Sequence, residues 1–181
     1  MTDIEPEILD DESAFDFYRS ECIKDVQAQL VKWSSSKIDK RESFSLAHNF
    51  LPGHNSNDPI VRKACENGYV HKIVYVGITN IETCIRRVQL RTVKGYHYVP
   101  DSDIKERYVR GLNQFNELFK KLLTGERPSI PFDEIRILDY TRDVEMENIA
   151  DYKAGRLEIM TNDSILLDKW KELLPEMFRL V

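Results

Sequence analysis

The chain has 181 residues, 41% hydrophobic and 31% charged, with a formal net charge of −5. That is enough apolar material to bury a core in one globular domain, and it excludes a disordered, fibrous or collagenous chain. No apolar run approaches the roughly 18 residues of a membrane-spanning helix, and the acidic N-terminus lacks the basic-then-apolar order of a signal peptide.

Seven acidic residues lie between Asp3 and Asp16, ahead of the first basic one at Arg19. Phe15, Tyr18, Cys22, Val26, Leu30 and Trp33 follow at steps of three and four, which predicts a long amphipathic helix with the acids at its positive end. Asp10, Asp11 or Ser13 is positioned to cap it, and Ser34-Ser35-Ser36 reads as the loop that ends it. Ser43 to Ala47 alternates as a strand. His48 and His54 then sit six apart in a Gly/Pro/Asn loop, which is not a metal-ligand spacing, so no metal is assigned and His48 with Asn49 reads as a solvated turn or a ligand contact. The cysteines, Cys22, Cys65 and Cys84, also lack ligand spacing and cannot all pair, so they read as reduced, buried thiols of a cytoplasmic protein.

Asp58-Pro59 predicts a capped helix start and Gly68 its end. Tyr69 to Gly77, YVHKIVYVG, is β-branched and aromatic, as in a strand of a parallel sheet covered by helices. A short turn at Thr79-Asn80 leads to the most unusual stretch. From Arg86 to Arg110 seven basic residues stand against three acidic ones, a local net charge of +4 in an acidic protein. Such a concentration serves an anionic ligand. Arg87, Arg91 and Lys94 share one helical face, Gly95 ends that helix, Pro100 opens the next, and Arg107 and Arg110 lie three apart on it. Two helices meeting at this corner can bring guanidinium forks around a polyphosphate. Binding sites in such sheets lie at the carboxyl ends of strands, where this βα unit delivers its arginines.

The second helix continues through Ile104, Tyr108, Leu112, Phe115, Phe119 and Leu122 to Gly125. Glu134 to Tyr140 reads as another strand ending in Asp139-Tyr140-Thr141, where an Asp commonly forms a turn. Residues 151–160 read as a hairpin around Ala154-Gly155, and Ile165 to Phe178 as a final helix. No repeat or linker divides residues 1–181, so a single domain is expected.

Read as R-V-x-x-R-x-x-x-G-x-H-x-V-P-x-x-x-I-x-x-R-Y-x-R, the segment Arg87 to Arg110 resembles the lid of zeta toxin-like kinases, P-loop kinases several of which phosphorylate UDP-N-acetylglucosamine. Tyr96 and Glu106 depart from the family pattern, which has a glycine and a basic residue there. The resemblance implies a P-loop-kinase-like α/β fold with a helical lid over 80–124, phosphate binding by Arg87, Arg91, Arg107 and Arg110, and the use of ATP with Mg²⁺. It implies a nucleotide or sugar nucleotide as ligand, and an antitoxin-like or complementing chain as partner. Asp3, in Thr2-Asp3-Ile4-Glu5, takes the place of the catalytic base. His48 and Asn49 fall beside the family's substrate-holding strand, with Ala47 and His48 where it has glutamate and threonine.

The family's phosphate cradle is absent from the sequence. Its seven glycines, at 53, 68, 77, 95, 111, 125 and 155, are never followed by lysine, so there is no Walker A Gly-Lys. Phosphoryl transfer depends on positioning and charge stabilisation, and the chain alone is therefore expected to be an inactive kinase. Three readings follow: a fragment or late start of a kinase whose first strand and P-loop lie upstream, a degenerate member retaining an anion-binding or protein-interaction role, and a nucleic-acid binder. Basic charge without interleaved exposed aromatics, at a sequence pI near 5.5, disfavours the last.

Overall fold

A computed structural model describes residues 12–46, 59–96, 98–126, 132–142 and 145–181. The sequence-predicted site residues Asp3, His48 and Asn49 lie outside them, as do Asp10, Asp11, Ala47 and Asp58.

The chain opens with α1 (Glu12–Asp39) and α2 (Pro59–Glu66). The serine triplet does not end α1, which runs one turn further and buries Ser34 and Ile38. Ile38 packs with Ile60 and Ala64 of α2, flanked by Phe44 and Tyr69. The Tyr69 hydroxyl lies 3.2–3.3 Å from the carbonyls of Lys37, Ile38 and Glu42, adding a side-chain donor where the Arg41 and Glu42 N–H groups already close the end of α1. Of the predicted apolar stripe, Val26, Leu30 and Trp33 are exposed, and the side chains of Phe15, Tyr18 and Cys22 lie outside what the structure describes. An eight-residue α2 spans about 12 Å and α1 about 42 Å, so the short helix covers only the end of the long one. Residues 42–46 form no strand.

β1 (Lys72–Gly77), α3 (Ile81–Val93), α4 (Asp101–Leu123) and β2 (Glu134–Asp139) follow, so the expected strand-then-helix order is present, with two helices between the parallel strands. Gly95 ends α3 at φ +88°, a left-handed conformation a side chain would strain. Its N–H bonds the Thr92 carbonyl while the Tyr96 N–H reaches back to Arg91, the paired bonds of a Schellman turn. Next come β3 (Glu147–Lys153), β4 (Arg156–Ile159), α5 (Ser164–Leu173) and α6 (Pro175–Phe178). The predicted hairpin is present, turning on Ala154 and Gly155, both at positive φ. The predicted last helix breaks at Leu174, because Pro175 lacks an N–H and restricts the residue before it.

The sheet order is β1-β2-β3-β4. The expected parallel sheet is mixed instead: β1 and β2 are parallel, whereas β3 and β4 are antiparallel to their neighbours. The connection from Asp139 to Glu147 is too short for the crossover that a parallel return requires. A bulge opposite Ile137 and Leu138 turns both Ile149 and Ala150 into the core.

Helices α4, α5 and α6 cover one face of this sheet. Leu112, Phe115 and Phe119 of α4 meet Ile135 and Ile137 of β2 and Trp170 of α5. Tyr75 stacks on Phe115 with ring centroids 4.3 Å apart. Burying side chains of this size contributes about 1.5–3 kcal/mol each. Among the described residues the opposite face is open, with Lys72, Glu134 and Lys153 in one ion-paired row, Arg136 paired to Asp151, and Val74 and Val76 exposed.

Candidate anion-binding site at the strand tips

β1 and β2 run in parallel, so Gly77 and Asp139 bring their carboxyl ends together, and the Tyr140 N–H bonds the Gly77 carbonyl at 2.8 Å. Glu147 at the start of β3 lies opposite Asp139, so its antiparallel strand begins at the same end. This is where ligands bind in open α/β sheets.

Asp139 is 2% exposed, and its carboxylate accepts three hydrogen bonds. The Thr141 N–H gives one to Oδ1 at 2.8 Å, and the Thr141 hydroxyl gives one to Oδ2 at 2.8 Å. The indole N–H of fully buried Trp170 supplies the third at 3.0 Å. Thr141 Oγ1 also lies 2.9 Å from the Thr79 N–H and 3.1 Å from the Thr79 hydroxyl. The turn leaving β1 and the turn leaving β2 are thus tied together.

Arg87, on the second turn of α3, reaches this junction. Its Nη2 donates to the Tyr140 carbonyl at 2.5 Å, with Thr141's carbonyl at 3.5 Å, and its guanidinium lies 4.3 Å from the centroid of the Tyr140 ring. Arg91 follows one turn later on the same face, exposed, with its guanidinium 5.4 Å from the ring of Tyr96, which with Tyr98 is exposed, so the basic stretch does carry exposed aromatics, contrary to expectation. On α4 the Tyr108 hydroxyl donates to the Ile78 carbonyl at 3.0 Å, which turns that helix face toward the tips. Burial pushes the Tyr108 phenol up to about 12 and raises the Cys84 thiol beside Arg87, so neither ionises at neutral pH.

The four predicted phosphate-binding arginines are therefore placed differently. Arg87 is at the tips and Arg91 one turn out. Arg107 is exposed and flanks the Ile104–Tyr108 face. Arg110 sits roughly 200° around the helix from Tyr108 and pairs with Glu106 at 2.5 Å, on the outward face shared with Lys105 and Asn113.

The same end carries Arg142, paired to Asp163 at 2.6 Å. Asp163 caps α5 through the Leu166 N–H, and that bond, with Arg142, holds its carboxyl below the usual range. Cys65, expected to be buried, is exposed, because it lies on the outer side of the small α2. Among the described residues no three His, Cys, Asp or Glu side chains gather as metal ligands, and no helix is long and apolar enough to cross a membrane.

The β1–α3 turn does not fit as a cradle for Mg²⁺-ATP. The Thr79 N–H goes to Thr141, the Glu82 N–H to the Asn80 side chain, and the Thr83 N–H to the Asn80 carbonyl. Those donors of the helix start are already engaged, and Trp170 fills the space beside Gly77. The Thr79–Thr141 tie and the Trp170 bond to Asp139 have no local signal in the sequence, the two threonines standing 62 residues apart, whereas the packing role read for the tryptophan of the last helix is present.

No protein-family model matches the sequence, and comparison with curated proteins and with solved structures returns no match.

Proposed function

We propose that this chain binds a polyphosphate-bearing ligand, a nucleotide or sugar nucleotide, at its strand tips, and that alone it does not transfer phosphate. In this reading it is a cytoplasmic relative of zeta toxin-like kinases that keeps the lid and lacks the cradle. The observation that carries the reading is Arg87, held over the joined ends of two parallel strands by the carbonyl and ring of Tyr140. The resemblance over Arg87 to Arg110 and the local +4 charge support it, with Arg91 and Arg107 as exposed arms. A guanidinium fork matches phosphate geometry, whereas the committed N–H groups of the β1–α3 turn cannot replace a P-loop.

The test is calorimetric titration of the full chain with inorganic tripolyphosphate, beside an assay for ATP consumption. Binding that weakens about tenfold in Arg107→Ala and in Arg91→Ala is expected, since a charge-assisted hydrogen bond contributes about 1.5–3 kcal/mol. Turnover of ATP by the chain alone would overturn the non-catalytic half of the reading, and absence of binding the other half. A protein-interaction module is the second reading, favoured by exposed Val74 and Val76 on a terminal strand of the sheet.

A further inference from the structure

We infer that Asp139 is a positioning residue for Arg87, acting through Thr141 and Tyr140; the inference rests on the anion-binding reading above. The Thr141 hydroxyl gives its one proton to Asp139 Oδ2 at 2.8 Å. Thr141 Oγ1 must then accept from both the N–H and the hydroxyl of Thr79. The direction of the whole relay is set by the Asp139 carboxylate at its end.

Two attachments of α3 depend on that relay. Its base is tied through Thr79, two residues before the helix begins at Ile81. Its second turn is tied through Arg87, which rests on the Tyr140 and Thr141 carbonyls that Asp139 curls back on itself. Trp170 anchors the same carboxylate to α5, so the platform beneath Arg87 is fixed from the core side as well. A planar fork recognises phosphate only in a set orientation, and here the orientation comes from residues that themselves need touch no ligand.

The test is a double-variant cycle on the full chain, read by calorimetric binding of inorganic tripolyphosphate. Thr141→Val keeps the side-chain shape and removes the hydroxyl, while Thr141→Ser restores it. Arg87→Ala is expected to weaken binding roughly tenfold and Thr141→Val several-fold, with Thr141→Ser close to the unsubstituted chain. In the Arg87→Ala background Thr141→Val should add no further loss, because its effect passes through Arg87. Should Thr141→Val fail to fold, Thr141→Ala serves the same cycle. An equal loss with and without Arg87, or no loss on removing the Thr141 hydroxyl, overturns the inference and leaves the anion-binding reading standing. If the unsubstituted chain binds no tripolyphosphate, both fall.

Discussion

At Gly77 the strand backbone runs against the Trp170 ring so closely that an added Cβ would stand 2.3 Å from one ring carbon and 2.8 Å from the Tyr75 ring. The indole cannot retreat without giving up its bond to Asp139. Gly77→Ala is therefore expected to cost about 1–3 kcal/mol, as overpacking does, and Trp170→Phe in the same chain should recover part of the loss. Denaturant unfolding measures this; an unchanged midpoint for the single variant would show that the ring yields freely. In the sequence Gly77 reads only as the end of an apolar run, because Trp170 lies far along the chain. The arginines were legible as a group by their spacing, yet the spacing that joins Arg107 to Arg110 also places Glu106 one turn before Arg110, where the two pair.

Elements with a strong local signal formed where the sequence placed them. The apolar steps of α4, the Ala154-Gly155 hairpin and the Pro59 helix start are local choices, so neighbours in sequence decide them. The serine triplet and the last helix were misjudged for opposite reasons. Serine's low helix propensity is a weak preference that packing overrides, here with only Ser34 of the three buried, whereas a proline overrides an otherwise continuous apolar pattern. Strand direction was not legible in composition, because a β-branched run suits either pairing. The open sheet face carries an electrostatic consequence. Hydrogen bonds from Lys153 and then Lys72 hold the Glu134 carboxyl near 2, below its ordinary 4.5. A carboxyl depressed in the folded chain stabilises it above the ordinary value and loses that contribution as pH falls through the depressed one. Thermal melting should thus weaken between about pH 4.5 and 2, and Glu134→Gln should flatten that slope. A slope identical in the two proteins would mean the ion-paired row contributes nothing.

At the scale of the molecule, one polar junction gathers the tips of β1 and β2, the base of α3 and the core face of α5. Asp139 connects the ends of β1 and β2 to the base of α3 and to α5, and the arginine nearest the tips is seated on that junction. Ligand binding there should quench local opening in those segments first, since protection follows the elements a ligand holds together. Amide hydrogen exchange of the full chain, with and without saturating inorganic tripolyphosphate, tests this most directly. Added protection concentrated at residues 78–91 and 139–142 is the predicted result; no added protection, or protection confined to the outward face of α4 around Lys105 to Gln114, would contradict it.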